Sequence, residues 1–88
     1  MPYKSSFYAL PVDFALYNNR ALCNIRLKKY KEAIDDCTEA LNIQSDSQKA
    51  LWRRSSSYQE LKNYEMALKD LYRLKELIEQ EEKNRVNT

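Results

Sequence analysis

The sequence predicts an all-α fold of about four helices, and three observations lead to this prediction. The 88 residues include no glycine, which disfavours the tight turns of β-hairpins. Only Pro2 and Pro11 interrupt helix, so residues 12–85 contain no strong helix breaker. Between short polar links, apolar residues recur at helical spacing, which is typical of helices with one buried face.

Four segments carry this helical pattern. The expected helices are residues 14–27, 30–43, 48–61 and 64–83. The link between the first two, Lys28-Lys29, is so short that these helices must pack antiparallel. Ser47 stands just before the third helix, where a serine side chain commonly caps free backbone N–H groups. The polar stretch 42–48 therefore marks a turn between two helical pairs.

Composition excludes several kinds of active site. Without histidine, the chain has no His-based general base and no His-ligated metal site. Without glycine, it has no glycine-rich loop for phosphate. Cys23 and Cys37 lack the spacing of metal ligands, and we expect both to be reduced and buried in a cytoplasmic protein. We therefore expect no enzyme activity, no cofactor and no metal ion.

The charge balance points away from nucleic acids and membranes. The chain carries 15 basic and 13 acidic residues, for a net charge of +2. Such a balance is not typical of proteins that bind nucleic acid or an anionic membrane surface. No apolar run approaches the roughly 18 residues of a membrane span. A protein partner is the remaining expectation.

The chain matches itself when it is shifted by 34 residues. The identical pairs include Arg20 with Arg54, Leu27 with Leu61, Tyr30 with Tyr64, Ala33 with Ala67, and Asp36 with Asp70. A fixed period of this length indicates an array of helical repeats, each stacked on its neighbours. The repeated arginines lie away from the groove-facing positions, and we expect them to pair with the repeated aspartates as structural links.

The period and the residues that recur with it resemble the tetratricopeptide repeat (TPR) over roughly residues 3–81. The matching positions are the aromatic residues Tyr17, Tyr30 and Tyr64, with Leu51 and Trp52 at the place of Tyr17 in the second repeat, and the small residues Ala21, Ser55, Ala33, Ala67 and Ala40. Leu74 replaces the last small residue in the second repeat. The resemblance implies an α-solenoid, with residues 14–47 and 48–81 as two repeats. Residues 1–13 are then the remnant of a preceding repeat, with residues 3–10 as its last helical turns, and residues 82–88 are a polar tail.

The turn inside each repeat departs from the family pattern. Where the family commonly has glycine, this chain has Lys28 and Lys62. A single longer, bent helix therefore remains an alternative to each pair of helices.

The first helix of each repeat supplies the candidate binding site. Positions i, i+4, i+7 and i+11 share one face of a helix. In the first repeat this stripe is Ala15, Asn19, Leu22 and Arg26, and in the second it is Lys49, Arg53, Ser56 and Glu60. An amide and three cations on one groove suit a carboxylate ligand, because arginine binds it bidentately and lysine adds a point charge. The candidate residues are Asn19, Arg26, Lys49 and Arg53.

The same stretches resemble the dicarboxylate-clamp TPRs of co-chaperones, which bind the acidic Glu-Glu-Val-Asp tail of the heat-shock protein 70 and 90 chaperones. Asn19, Lys49 and Arg53 fall on three of the five clamp positions. The other two belong to a helix that this sequence does not contain. Losing two charge-assisted contacts of about 1.5–3 kcal/mol each would turn a micromolar site into a millimolar one.

A second function stays open from the sequence. The chain could be a general TPR scaffold with another protein partner, or it could self-associate as a homo-oligomer. Tyr3, Phe7 and Tyr8 at one end, and the uncovered face of the fourth helix at the other, are apolar surfaces that a monomer would expose. Binding through apolar ends would be indifferent to salt, whereas a clamp would weaken in salt.

Overall fold

The computed structural model describes the backbone of residues 4–87 and the side chains of residues 14–85. It has four helices: α1 (Lys4–Arg26), α2 (Tyr30–Ile43), α3 (Gln48–Glu60) and α4 (Tyr64–Asn87). No strand occurs in this part of the chain, so the predicted all-α fold is confirmed. None of the helices described is long and apolar enough to cross a membrane.

Each helix packs on the next one along the chain. α1 packs on α2, α2 on α3 and α3 on α4, and α1 also contacts α3. Because short turns reverse the chain each time, α1 and α3 run in the same direction. The residues at the helix crossings are small and fully or almost fully buried: Ala21, Ala33, Cys37, Ala40, Ala50, Ser55 and Ala67. Small side chains let the backbones approach closely, as the repeat pattern predicted.

The two turns with lysine in place of glycine form well-defined helix ends. Lys28 and Lys62 have φ values of 62° and 63°, in the left-handed region that glycine adopts most easily. At the first turn, Lys28 N donates to Ile25 O and Lys29 N donates to Asn24 O, at 2.9 and 2.7 Å. This pair of bonds is the Schellman motif, which satisfies the last helical carbonyls.

The second turn repeats these bonds, with Lys62 N donating to Gln59 O at 2.9 Å and Asn63 N to Tyr58 O at 2.8 Å. The alternative of single bent helices is therefore wrong. The two hydrogen bonds of each motif offset the steric cost of a left-handed lysine.

The outer helices are longer than the sequence pattern predicts. α1 continues through Pro11 back to Lys4, although we expected residues 3–10 to form a separate, earlier helix. The φ at which proline is fixed fits a helix, so the helix can continue through residue 11, although a proline inside a helix removes one backbone hydrogen bond and is normally unfavourable. At the other end, α4 runs to Asn87, four residues beyond the expected end at residue 83, so the polar tail is helical as far as residue 87. Tyr3 and the side chains of Phe7 and Tyr8 lie outside the described residues.

Two further expectations concern single residues. Ser47 caps α3 as predicted, because its Oγ accepts a hydrogen bond from Ala50 N at 3.2 Å. Cys37 is fully buried, and this burial raises the pKa of its thiol to about 12. The expectation of burial is wrong for Cys23, which is exposed on α1. Neither α2 nor α3 covers the face of α1 on which Cys23 lies.

Candidate peptide-binding groove

The paired arginines and aspartates lock the two helices of each repeat together, as the sequence predicted. Arg20 Nη2 lies 2.9 Å from Asp36 Oδ1, and Arg54 Nη2 lies 2.7 Å from Asp70 Oδ1. Both carboxylates are buried. The hydrogen bond from Arg54 to Asp70 also raises the pKa of the Arg54 guanidinium. These ion pairs fix the first helix of each repeat against the second helix. They thereby also fix the position of the groove residues on the first helix.

Arg53 joins the two groove helices directly. Its Nη1 donates a hydrogen bond of 2.8 Å to the backbone carbonyl of Asn18 on α1. The guanidinium has five N–H donors, so donors remain for a ligand. Asn19 belongs to the same peptide unit as that carbonyl, and its side chain is exposed. The structure therefore brings Arg53 to the level of Asn19 along the groove.

Lys49 lies one helical turn before Arg53 on α3, about 6 Å along the axis. Its side chain is exposed, whereas that of Arg53 is half-buried. The three residues Asn19, Lys49 and Arg53 thus combine a mobile ammonium group, an anchored guanidinium and an amide on neighbouring helices. We call this set the polar cluster.

Arg26 does not belong to the polar cluster. It is the last residue of α1, about 10.5 Å along the axis from Asn19 and on the side away from Lys49. A cation in this position interacts favourably with the carbonyl end of its own helix. The repeat also places Glu60 of α3 at the level of Arg26, because the two are 34 residues apart. That acidic neighbour lowers the positive potential around Arg26.

A cleft adjoins Lys49 but has the wrong charge for an acidic ligand. Its volume is about 680 Å³, and it lies between the middle of α1, the turn before α3 with the first residues of α3, and the last turns of α4. Asp46 and Glu81 line it together with Lys49. Two carboxylates against one ammonium repel a dicarboxylate, so the exposed surface of the polar cluster suits such a ligand better.

Asn18 is the residue that sequence reasoning missed. Its side chain is buried between α1 and α3, and its backbone carbonyl orients Arg53. Every residue has a backbone carbonyl, so no residue type could signal this role. The sequence pointed to Asn18 only through its position: it immediately precedes the groove residue Asn19, next to the side of α1 that packs on α3.

The fold and groove together define a class of protein. Two helical pairs related by a 34-residue repeat, with a polar groove on their first helices, make a helical-repeat binding module. Models of the tetratricopeptide repeat match residues 14–47 and residues 48–81. The chain therefore belongs to the tetratricopeptide-repeat family.

Several relatives share this region. Human sperm-associated antigen 1 is 42% identical over 59 residues, which is 67% of this chain and 6% of that protein. The human mitochondrial import receptor subunit TOM34 is 41% identical over 58 residues, 66% of this chain and 19% of the relative. The Hsp70/Hsp90 co-chaperone cns1 of Schizosaccharomyces pombe is 34% identical over 67 residues, which is 76% of this chain and 18% of that co-chaperone. The chain thus spans less than a fifth of each of these relatives.

A solved structure has the same fold. The Hsp90 co-chaperone Cns1 of Saccharomyces cerevisiae superimposes with a TM-score of 0.68 and 26% sequence identity. The match covers 89% of this chain and 30% of that protein. Over this region the chain is thus similar to proteins named as co-chaperones.

Proposed function

We propose that this chain is a protein-binding module whose polar cluster holds the acidic C-terminal tail of a heat-shock protein 70 or 90 chaperone. The observation that carries the proposal is the hydrogen bond from Arg53 to the Asn18 carbonyl. It fixes a guanidinium beside Asn19, with Lys49 one turn away, so that two cations and an amide can meet one carboxylate. Likeness to two Cns1 co-chaperones supports the same partner class.

The positive charges of the polar cluster determine which kind of ligand the groove can bind. A terminal aspartate offers two carboxylates within a few ångströms, and charge-assisted hydrogen bonds are the strong ones. Two cations on exposed or half-buried positions provide modest affinity, so binding in the high-micromolar to millimolar range is expected. Arg26 lies too far along the groove to hold the same carboxylate, and we assign it at most to a residue further upstream in the peptide. A cytoplasmic location belongs to this proposal, since both cysteines are unpaired.

The test is a titration with a fluorescent peptide that ends in Glu-Glu-Val-Asp. Lys49→Ala removes one exposed ammonium group without disturbing a buried contact. It should weaken binding by about tenfold or more, because a hydrogen bond to a charged group contributes about 1.5–3 kcal/mol. Arg53→Ala should have a larger effect, and its folding must be checked by circular dichroism because it also loses the bond to Asn18.

Two matched controls make the titration specific. Lys31→Ala removes a lysine that is also exposed but lies on α2, outside the groove, and this variant should bind as the wild type does. The same peptide with an amidated C-terminus lacks the terminal carboxylate and should bind far more weakly. If the folded wild type binds neither peptide at millimolar concentration, or binds both equally, the proposed function is wrong.

A further inference from the structure

The second repeat has an apolar face that none of the helices described by the structure covers. Trp52 of α3 is 57% exposed, and Leu68 and Tyr72 of α4 are also exposed. We call these three residues the trailing face. Large apolar side chains in one exposed patch commonly mark a contact with another protein.

The first repeat shows what covers this face. Residues 34 positions earlier than the trailing face are Asn18, Ile34 and Thr38. Asn18 is only 6% exposed, because α3 packs over it. The contact is specific: Arg53 of α3 donates to the Asn18 carbonyl, and Arg54 Nη1 donates to the Thr38 hydroxyl at 3.1 Å. A helix that docks as α3 does would therefore cover the trailing face.

The chain itself carries a second copy of such a helix surface. The face that α3 turns towards the first repeat includes Ala50, Arg54 and Ser57, and Ala50 and Ser57 are fully buried. Their equivalents on α1, 34 residues earlier, are Leu16, Arg20 and Cys23.

All three of these α1 residues are exposed and lie at i, i+4 and i+7, on one side of the helix. We call them the leading face. The Arg20 side chain is 56% exposed, against 20% for that of Arg54. α1 thus presents an unused version of the surface with which α3 docks.

From these complementary faces we infer that the chain stacks head to tail on a second copy of itself. The leading face of one copy docks on the trailing face of the next, as α3 docks on the first repeat. Tyr72 holds the repeat position of Thr38, so Arg20 of one copy lies beside Tyr72 of the second copy and can donate a hydrogen bond to its hydroxyl. Leu16 and Trp52 replace Ala50 and Asn18, so this contact is more apolar than the internal one, and its helices lie further apart because both side chains are larger.

Head-to-tail stacking has a distinct signature. Each copy contributes two different surfaces, so every added copy leaves one leading and one trailing face free. The assembly grows with concentration instead of stopping at a dimer. It is separate from peptide binding, because Leu16 and Leu68 lie outside the polar cluster.

Two blocking variants test the inference by sedimentation velocity. Leu16→Glu blocks the leading face, and Leu68→Glu blocks the trailing face; both side chains are exposed, so the fold should persist. The wild type should gain mass beyond a dimer as its concentration rises. Each variant alone should stay monomeric, whereas an equimolar mixture should form a one-to-one dimer through the single intact interface.

A milder variant checks the predicted contact between Arg20 and Tyr72. Tyr72→Phe removes only the hydroxyl and should weaken stacking by about two- to tenfold, as expected for one hydrogen bond. Lys31→Glu, exposed on α2, serves as the control and should leave the mass unchanged. A wild type that stays monomeric at millimolar concentration overturns the inference. So does a wild type that stops at a dimer, or a variant mixture that remains monomeric.

Discussion

Replacing Arg54 with alanine should destabilise the fold far more than replacing Arg20, although the two arginines hold the same place in their repeats. Arg54 donates to both carboxylate oxygens of Asp70, at 2.8 and 2.7 Å, and to the Thr38 hydroxyl. The Asp70 side chain is 6% exposed. Within the described residues Asp70 has no other side-chain partner, so Arg54→Ala leaves a buried carboxylate unpaired.

Arg20 is the matched control that the repeat provides. It donates one hydrogen bond of 2.9 Å to Asp36, and its guanidinium lies 5.5 Å from the centre of the Tyr17 ring, mostly in solvent. Asp36 also accepts a hydrogen bond of 2.8 Å from the Asn24 side-chain amide. Arg20→Ala therefore leaves Asp36 with a partner.

The expected magnitudes follow from this difference. Removing one partner of a buried ion pair costs about 3–5 kcal/mol. Loss of Arg20 should cost less, about 1.5 kcal/mol, which is the low end for a hydrogen bond to a charged group, because Arg20 lies mostly in solvent and the buried Asp36 keeps the Asn24 amide as a partner. A chain of this size is stable by roughly 4–13 kcal/mol in total, so Arg54→Ala should remove a large part of its stability.

Urea denaturation followed by circular dichroism measures both losses. Each kcal/mol should also lower Tm by about 4–8 °C. Equal losses for Arg54→Ala and Arg20→Ala would refute the reasoning, since burial would then not control the cost. The double variant Arg54→Ala/Asp70→Ala should recover part of the loss, because it removes the unpaired charge. A coupling free energy of about 0.5–3 kcal/mol is expected for residues in contact.

Three further predictions concern single residues. Lys62→Gly and Lys28→Gly should each raise the free energy of unfolding by about 1 kcal/mol, because glycine tolerates positive φ without the steric cost of a side chain. Urea denaturation that shows no gain in stability would contradict this. Cys23 is exposed and should react with a thiol reagent at about pH 8. Cys37, whose pKa is raised to about 12 by burial, should stay unmodified until the protein unfolds. Modification of both thiols at equal rates would count against this prediction. Ser57→Ala should be neutral or stabilising by up to about 1 kcal/mol, because the Ser57 hydroxyl is buried without a hydrogen-bond partner; a clear loss in thermal denaturation would speak for an internal water there.

Much of the fold could be predicted from the sequence because the relevant forces act at fixed positions in the repeat. Small residues such as Ala33 and Ala67 recur where helices cross, and only small residues fit there. The pairing of Arg54 with Asp70 could also be predicted, since both charges recur in register and a buried carboxylate requires a partner. Such pairings depend on helix geometry, which is nearly the same in every helix.

Other features could not be predicted from the sequence, because they depend on where each helix ends and on which surfaces the neighbouring helices cover. The left-handed turn at Lys28 depends on hydrogen bonds that a sequence without glycine does not suggest. The sequence suggested the same burial for Cys23 and Cys37, because both are small apolar residues within helices. However, no helix of the structure described here covers Cys23, which is exposed. The position of Arg26 at the end of α1, away from the polar cluster, also depends on where the helix stops.

The all-α class, the 34-residue period and the set of residues from which a groove could be built all follow from the sequence alone. Which of those residues meet depends on the tertiary structure. Arg53 is held beside Asn19 by a backbone carbonyl, and backbone atoms are common to all residues, so only the packing of α3 on α1 could reveal that contact. The same packing left one face of α1 and one face of the second repeat open, because each helix can cover only the neighbour against which it lies.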